Sequence, residues 1–561
     1  MCEITMSTTR PDIDVHPKTH LPSSITQTKW NVIVIGGGPA GQAAAIKCAT
    51  GGLSVLIVES ELTGGECQNW ACVPSKALLR PLEVAADAAS VGGTREKLRS
   101  CAEARGTAGN VNVDLQGLFE YRDKCAVNWN DGPGIAALGG LGVSITHGFA
   151  LVVGKGKVQI KDWHSGGSVL VEAVAVVVAT GSEPFIPDIE GLRESGYWTP
   201  REAVSANEVP DHLIILGAGL VGTEMATVYG QLGSRVTLIT RQKRILPKVV
   251  EYAAELVANS LRQTGVDIRV ETHVRKVKRR NGLVEAELAD SSDLTGSEIL
   301  IATGRRARTA GMGLTTVKGL TEGAHIDVDE SMCAVTVPEG WLYAIGDTNG
   351  LAWTTHMGMY QAVICANTIL AKARGSYQHQ LDNGNDLRIS RRHSATATPQ
   401  TCFTDPQVSW VGLSLKDTKR MNINAREVSV DTGGPGTHSY LHSEGYTGWA
   451  QWVIETGTGR LLGAVFVGRG VANLLHASSV AIVGGLTWRQ LFHAVPSFPT
   501  LSEVYQLLVE KCAAMGGRWF RLVGRRGLRV SGCGRSDAGI AGVHCVKIEQ
   551  LHCCVGGSVS R

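Results

Sequence analysis

Two cysteines, Cys67 and Cys72, are the residues of this sequence best suited to redox chemistry. Four residues separate them and a helical pattern continues from Pro74, so on one helical turn the two sulfurs can close a disulfide. A helix N-terminus lowers the pKa of a nearby thiol and stabilises its thiolate. A zinc site would need further ligands at close spacing, which this stretch lacks. The pair therefore predicts a redox-active dithiol.

Two glycine turns indicate where nucleotides would bind. Each turn follows a short apolar strand and precedes an alanine-rich helix, a unit that places a pyrophosphate at the helix N-terminus. The glycines are Gly36, Gly38 and Gly41 in the first turn and Gly217, Gly219 and Gly222 in the second. Later apolar strands end in Ala-Thr-Gly at 179–181 and 302–304, so the repeat covers whole domains.

The ends of the second strands distinguish the two nucleotide sites. Glu59 ends the first such strand, and a carboxylate there accepts hydrogen bonds from an unphosphorylated ribose, as in FAD. The equivalent position in the second unit is Thr240, followed by Arg241 and further cations in 242–244. Because arginine binds a 2′-phosphate bidentately, this site favours NADPH, with NADH as the alternative. A solvated basic loop would give the same pattern.

The composition excludes several classes of protein. Fourteen cysteines among 561 residues are too few for a disulfide scaffold. The apolar runs are too short to cross a bilayer, so no membrane partner is expected. The net charge of +3 divides into +6 over residues 516–561 and −3 elsewhere, so no nucleic-acid partner is expected. Residues 1–29 lack an apolar signal core, which predicts a disordered leader and a cytoplasmic protein.

Together these features resemble the pyridine nucleotide–disulfide oxidoreductases, the family of glutathione reductase, dihydrolipoamide dehydrogenase and mercuric reductase. The resemblance covers about residues 30–514, and its site features are most similar to those of mercuric reductase-like members. The motifs that carry it follow family order: the first glycine turn, 64–76 around the cysteines, 179–181, the second glycine turn, 302–304, 344–347 and 499–503.

The resemblance implies a route for electrons from NADPH to FAD and then to the disulfide. Cys72 would lie against the flavin as the charge-transfer thiolate, and Cys67 would attack the acceptor. Lys76 would lie near the flavin and pair with Glu224. The residues implied to bind FAD are Gly36, Gly38, Gly41, Glu59, Thr180, Gly181 and Asp347, and those implied to bind NADPH are Gly217, Gly219, Gly222 and Arg241. The last domain would form a homodimer interface that brings Glu503 to the partner subunit's active site.

The implied fold is α/β, with two doubly wound, Rossmann-type domains that bind FAD and NAD(P), and a C-terminal α+β dimerisation domain. The predicted boundaries are a leader at 1–29, the FAD-binding domain at 30–190 and 326–392, the NAD(P)-binding domain at 191–325, the dimerisation domain at 393–515 and a basic tail with glycine and cysteine at 516–561.

One departure from the family concerns proton transfer. Reductases of glutathione and lipoamide have a His-Pro-Thr-x-x-Glu run, whose histidine acts as acid and base for the exposed thiol. Here Phe498 stands in place of that histidine, which leaves Glu503 without its imidazole. His493 lies five residues upstream, as a substitute base or as an ordinary surface histidine. This departure weighs against ordinary disulfides, whose leaving thiolate needs a proton.

Mercuric reductase also lacks that histidine and carries two adjacent cysteines near its C-terminus. Cys553 and Cys554 are adjacent here, although about 50 residues beyond Glu503. Soft thiolates capture mercuric ion, so these cysteines are candidate transient ligands, and no resident metal is expected. An incidental pair in an unfolded tail is the alternative.

The sequence therefore favours an FAD-dependent NAD(P)H oxidoreductase with a small acceptor. The acceptor would be a metal ion such as mercuric ion, a small disulfide or a quinone. A dihydrolipoamide dehydrogenase-like reaction is an alternative, disfavoured by Phe498 and Arg241. A redox-sensing flavoprotein without turnover is another, disfavoured by the retained Lys76, Glu224 and Glu503.

Overall fold

A computed structural model describes residues 13–104, 113–376, 398–434 and 437–515. The strands in this part of the chain are β1 (Lys29–Ile35), β2 (Val55–Glu59), β3 (Val143–His147), β4 (Phe149–Gly154), β5 (Lys157–Lys161), β6 (Ser168–Val178), β7 (Ser182–Pro184), β8 (His212–Leu216), β9 (Arg235–Ile239), β10 (Asp267–Arg269), β11 (Val274–Arg280), β12 (Leu283–Leu288), β13 (Asp293–Gly296), β14 (Glu298–Ile301), β15 (Arg305–Ala307), β16 (Leu342–Ala344), β17 (Gln400–Cys402), β18 (Gln407–Gly412), β19 (Ala425–Asp431), β20 (Trp449–Glu455) and β21 (Leu461–Gly468).

The helices in the same ranges are α1 (Pro39–Thr50), α2 (Gly65–Asn69), α3 (Cys72–Ser90), α4 (Thr94–Ala104), α5 (Leu115–Cys125), α6 (Gly132–Gly140), α7 (Leu192–Ser195), α8 (Pro200–Ser205), α9 (Leu220–Gln231), α10 (Glu251–Gln263), α11 (Thr355–Ala373), α12 (Leu415–Arg420), α13 (Val471–Val483), α14 (Trp488–Leu491) and α15 (Val504–Met515). Short 3-10 helices lie at Pro22–Ser24, Val127–Trp129, Leu314–Thr316, Pro338–Gly340, Gly346–Asn349, Ser439–Leu441 and Leu501–Glu503.

The first sheet has seven strands around a parallel centre. β1 pairs in parallel with β2 and β6, β2 pairs with β3, and β16 returns from much later in the chain to pair with β6. β4 and β5 extend the sheet by antiparallel pairing. Residues 32–35 and 55–58 are at most 3% exposed. Such continuous burial is typical of central parallel strands, which are covered on both faces.

The second sheet is a smaller copy of the same design. Its four strands pair in parallel in the order β10-β9-β8-β14. α9 follows β8 and packs against β8 and β9. A three-stranded antiparallel sheet, β11-β12-β13, follows in the chain.

The two units agree closely at their first glycine. Gly36 and Gly217 both have a φ of +106°. A Cβ on Gly36 would lie 2.4 Å from the Ala179 carbonyl oxygen, and one on Gly217 would lie 2.3 Å from the Ala302 carbonyl oxygen. In each unit, therefore, the strand that ends in Ala-Thr-Gly packs directly behind the turn, and only glycine fits there.

The C-terminal part forms a five-stranded antiparallel sheet in the order β17-β18-β21-β20-β19. α13 packs against β18 and β21. Two parallel α/β units followed by an α+β sheet are the fold class that the sequence predicts, and that prediction is confirmed.

Residues 13–28 differ from the predicted disordered leader. Ile13 and Val15 pack beside the buried rings of Trp70 and Trp129, and the His147 N–H donates to the His20 carbonyl at 2.9 Å. These two apolar side chains bury surface that a disordered segment would leave in water. Residues 1–12 and 516–561, including Cys553 and Cys554, lie outside the described residues. In the described part, no helix has the length and apolar character needed to cross a membrane.

Candidate active site

A cavity of about 740 Å³ brings together many of the residues that the sequence singles out. Its volume is typical of sites that enclose a small molecule or cofactor. The predicted residues that line it are Gly36, Gly38, Glu59, Cys67, Cys72, Lys76, Thr180, Gly181, Glu224 and Asp347. Gly41, Gly217, Gly219, Gly222, Arg241 and Glu503 do not line it.

The two cysteines lie on different helices. Cys67 belongs to α2, and Cys72 is the first residue of α3. Between them Ala71 has φ −139° and ψ −96°, which interrupts the helix, so the expectation of one helical turn is wrong. The Thr355 hydroxyl joins the pair, because it donates to Cys67 Sγ at 3.1 Å and lies 3.5 Å from Cys72 Sγ. Both sulfurs are free thiols, and both face the cavity.

The surroundings of the two thiols favour opposite protonation states. The hydrogen bond with Cys67 lowers the pKa of Cys72 to about 6, and the Thr355 hydroxyl and the Lys76 charge act in the same direction against burial. The same hydrogen bond between the cysteines, together with burial, raises the pKa of Cys67. Near neutral pH, Cys72 is therefore the thiolate and Cys67 the thiol.

Lys76 connects the first unit to the second. Its Nζ lies 2.7 Å from Glu224 Oε2, and Glu224 is 4% exposed at the start of α9. Burial opposes the charge of Lys76, but Glu224 outweighs burial and raises the pKa of Lys76. The backbone N–H of Phe403 donates to the other Glu224 oxygen at 3.0 Å. A buried carboxylate held at both oxygens keeps the cation beside the thiols.

The first glycine turn has the features of a phosphate cradle. Gly38 is the N-cap of α1 and supplies no side chain to cap it. A Cβ on Gly38 would meet its nearest neighbour only at 3.9 Å, and Gly38, Pro39 and Ala40 line the cavity. The uncapped N–H groups of α1 therefore begin at the cavity wall, where a helix attracts a pyrophosphate. Gly41 contributes by packing, since its Cβ would lie 2.0 Å from the Gly36 oxygen.

Glu59 is the last residue of β2, and its carboxylate lies at the wall of the cavity. Its Oε2 accepts from the Gly37 N–H at 2.6 Å, and its Oε1 accepts from the Glu61 N–H at 2.9 Å. Burial raises the pKa of Glu59. These two bonds leave further lone pairs on the carboxylate, which lines the cavity.

Asp347 and Thr180 lie on the opposite side of the first sheet's carboxyl edge, after β16 and β6. The Ser182 hydroxyl donates to Asp347 Oδ2 at 2.5 Å, and burial raises the pKa of Asp347. The Thr180 hydroxyl donates to the Arg308 carbonyl at 2.6 Å, and Gly181 has a φ of +70°. These residues sit where parallel strands end, which is the usual ligand edge of an open α/β sheet.

The second glycine turn repeats this geometry outside the cavity. A Cβ on Gly222 would lie 1.8 Å from the Gly217 oxygen, whereas one on Gly219 would meet nothing within 4 Å. Beyond β9, Arg241 and Lys243 are exposed and have no ion-pair partner among the described residues. Arg244 differs, because its guanidinium donates to the Pro247 and Val249 carbonyls.

A cluster of opposite charges lies at the helix of Cys67 and was not predicted from the sequence. Arg201 lies 2.7 Å from Glu61 Oε2 and 2.8 Å from Glu66 Oε1. Arg305 and Arg308 also approach Glu66, at 3.4 and 3.3 Å. Glu66 directly precedes Cys67, and that adjacency is the only sequence feature that could have drawn attention to the cluster.

Glu503 has an imidazole partner that the sequence did not reveal. His438 Nδ1 lies 3.0 and 3.2 Å from the two Glu503 oxygens. The ring of His438 stands edge-on to Phe498, with centroids 4.4 Å apart. The expectation that Glu503 lacks an imidazole is therefore wrong. The ring of His493 instead packs edge-on to Phe492.

No group of three or more His, Cys, Asp or Glu side chains in the described ranges is arranged to hold a metal.

Comparison with known families agrees with this geometry. Residues 30–366 match the family model described as pyridine nucleotide-disulphide oxidoreductase. Residues 398–509 match the model of the dimerisation domain of the same family. The two matches cover both α/β units and the C-terminal sheet.

Individual relatives extend over most of the chain. A mercuric reductase from Streptomyces lividans is 30% identical over 490 residues, covering 86% of this chain and 96% of that one. A dihydrolipoyl dehydrogenase from Chlorobaculum tepidum is 30% identical over 484 residues, covering 85% and 95%. Among solved structures, LpdA from Mycobacterium tuberculosis has a TM-score of 0.71 at 24% identity, and the HOCl-induced flavoprotein disulfide reductase RclA from Escherichia coli has 0.69 at 20%. Each covers 86% of this chain and 99% of its own, and at these identities shows the fold.

The Lys76→Met substitution tests the electrostatics of the thiol pair. We expect the pH midpoint for alkylation of Cys72 in the reduced protein to rise from about 6 by about one unit, because an adjacent cation is lost while burial remains. The measurement is the rate of iodoacetamide labelling of Cys72 against pH, resolved by peptide mass spectrometry. Lys416→Met, an exposed lysine on α12, is the control. An unshifted midpoint in Lys76→Met would show that Lys76 does not set the pKa of Cys72.

Proposed function

The chain belongs to the pyridine nucleotide–disulphide oxidoreductases, FAD-dependent enzymes that take electrons from a nicotinamide dinucleotide, and from this premise we propose an NADPH-dependent reductase that acts through Cys67 and Cys72 on a small acceptor. The observation that carries the proposal is a shared cavity. It holds both thiols, an uncapped helix N-terminus and the Lys76–Glu224 ion pair that joins the two nucleotide-binding units.

The described residues fit FAD. The turn at Gly36 and Gly38 would hold the pyrophosphate, Glu59 the adenosine ribose, and Asp347 the polyol chain. The chemistry that bound FAD would supply is acceptance of a hydride from the nicotinamide and transfer of two electrons to the disulfide. The protein's contribution is to position the sulfurs and to set their protonation.

The two sulfurs have different roles in the proposed reaction. Cys72 begins α3, and its lowered pKa keeps it a thiolate next to the flavin position. Cys67 keeps its proton until it attacks the acceptor, since its pKa is raised. Thr355 holds both sulfurs, and Glu224 holds Lys76 close enough to balance the thiolate charge. The charge cluster of Arg201, Glu61 and Glu66 fixes the helix that carries Cys67.

The second nucleotide site supports NADPH over NADH. Arg241 and Lys243 stand exposed after β9 with no acidic partner in the described ranges, so both can bind a 2′-phosphate. Thr240 replaces the acid that would repel that phosphate and accepts a hydrogen bond from the Gln242 N–H at 3.1 Å. The dimerisation domain at 398–509 supports a homodimer.

The acceptor classes that fit this site are small disulfides, thiol-bound metal ions such as mercuric ion, and quinones. Relatives named mercuric reductase and dihydrolipoyl dehydrogenase match this chain at the same 30% identity, so their names favour neither acceptor. The common step would be attack by Cys67, because Cys72 is the thiolate that would remain beside the flavin. A redox-sensing protein without turnover is the competing proposal.

Steady-state oxidation of NADPH with hydroxyethyl disulfide, mercuric ion in excess thiol and benzoquinone tests the proposal. We expect the wild type to turn over at least one of the first two, and Cys67→Ser to lose that turnover by about 100-fold or more, since the nucleophile is removed. NADPH should still reduce the flavin of Cys67→Ser. If the wild type is yellow and reducible but reduces none of the three acceptors, the sensing alternative is correct.

The Arg241→Ala substitution tests the choice of nucleotide. We expect kcat/KM for NADPH to fall roughly 10- to 100-fold, the effect of losing a charge-assisted hydrogen bond to phosphate. The value for NADH should not change. Arg262→Ala, on the exposed side of α10 and paired with Glu255, is the matched control. A similar fall for both nucleotides would mean that Arg241 supports the fold instead of the 2′-phosphate.

A further inference from the structure

We infer that His438, oriented by Glu503, is the acid–base residue for Cys67 of the partner subunit, and that the acceptor is consequently a disulfide. This inference rests on the proposed function, since it supplies the proton transfer that the thiol pair cannot provide. It concerns a residue that no sequence pattern marks, because 65 positions separate His438 from Glu503.

The geometry of His438 is that of an oriented base. Its Nδ1–H donates to the Glu503 carboxylate at 3.0 Å, which fixes the tautomer with the lone pair on Nε2. Nε2 has no hydrogen-bond partner among the described residues. The side chains of His438 and Glu503 are 27% and 19% exposed, so the pair is reachable from outside but not fully solvated.

Both members of the pair are held from behind. Thr500 donates its backbone N–H to Glu503 Oε2 at 3.3 Å, so the carboxylate is fixed by its own helix start. Next to His438, the buried Ser439 donates its hydroxyl to the Thr432 carbonyl. The Phe498 ring supports the imidazole from the side at a centroid distance of 4.4 Å. Phe498 thus occupies the sequence position of the family histidine, and the imidazole of His438 packs against the Phe498 ring.

The pair lies outside the cavity that holds the thiols of its own subunit. Although His438 and Glu503 are both described, neither lines the cavity that holds Cys67. Phe498, which packs against His438, and Val495, three residues before it, are 71% and 82% exposed, and exposed apolar side chains close together are typical of a surface that a partner covers. All four lie within the dimerisation domain. The observations therefore fit a pair that completes the site of the partner subunit in a homodimer.

In the proposed step His438 carries a proton from Cys67 to the leaving group of the acceptor. In the reduced enzyme Cys67 is a thiol and Cys72 a thiolate, the product of adding one hydride to their disulfide. Cys67 gives its proton to Nε2 of His438, and its sulfur attacks the acceptor disulfide. The acceptor S–S bond breaks, a mixed disulfide forms, and the leaving thiolate takes the proton from His438. Cys72 then attacks the Cys67 sulfur, re-forms the enzyme disulfide and releases the second thiolate, which takes a proton from solvent.

Two disulfides with different leaving groups test this step. Hydroxyethyl disulfide releases a basic alkyl thiolate that needs a proton, whereas dithiobis(nitrobenzoate) releases a stable aryl thiolate that does not. We expect His438→Gln to lower turnover of hydroxyethyl disulfide about 100-fold or more, the usual contribution of a general acid and base. Turnover of dithiobis(nitrobenzoate) should fall by a clearly smaller factor, because this acceptor needs His438 only to remove the Cys67 proton and not to protonate its leaving group. Equal losses with both would mean that His438 does not protonate the leaving thiolate and would overturn the inference.

Two further variants separate His438 from its alternatives. His493→Gln is the matched control and should leave both rates unchanged; a selective loss there instead would assign the proton transfer to His493. Adding Phe498→His to His438→Gln should restore turnover of hydroxyethyl disulfide, because it returns an imidazole to the same place. Failure of this rescue counts against the inference.

Heterodimers of a Cys67→Ser subunit and a His438→Gln subunit, purified with two tags, test action across the interface. One intact site per dimer should give about half of the wild-type turnover of hydroxyethyl disulfide, and no turnover would show that His438 acts within its own subunit. A wild type whose flavin NADPH cannot reduce would overturn the proposed function itself. A wild type that is reduced by NADPH but does not turn over hydroxyethyl disulfide would overturn only this inference.

Discussion

The hydrogen bond between Cys67 and Cys72 is the interaction on which the proposed chemistry depends. It lowers the pKa of Cys72 and raises the pKa of Cys67, so one sulfur carries charge and the other carries a proton. The two thiols come from separate helices, since Cys72 begins α3 while Cys67 lies on α2. The Thr355 hydroxyl and the Lys76 cation then stabilise the charge from two other sides.

The duplicated fold brings residues of both units to the two thiols. In both units a glycine turn packs against a strand that ends in Ala-Thr-Gly, so closely that a Cβ would lie within 2.4 Å of a carbonyl oxygen. Glu224, at the start of α9, comes from the second unit into the cavity that the first unit lines, and it holds Lys76 at 2.7 Å. The ion pair therefore joins the two units beside the thiols.

Much of this arrangement could be predicted from local sequence. The glycine turns, the strand ends and the cysteine pair are short patterns with a direct physical meaning, and each lies where a parallel sheet brings ligands together. The break at Ala71 could not be predicted, because both flanking segments have helical patterns. The roles of Thr355 and His438 could not be predicted for another reason. Thr355 lies 288 positions from Cys67 and His438 lies 65 positions from Glu503, so only tertiary packing brings each to its partner.

The central claim is that Cys72 is a thiolate in contact with the flavin, and anaerobic titration with NADPH tests it most directly. We expect a long-wavelength charge-transfer absorbance in the two-electron-reduced wild type and its absence in Cys72→Ser, with flavin content equal in both. Matching spectra in the two proteins would contradict the account.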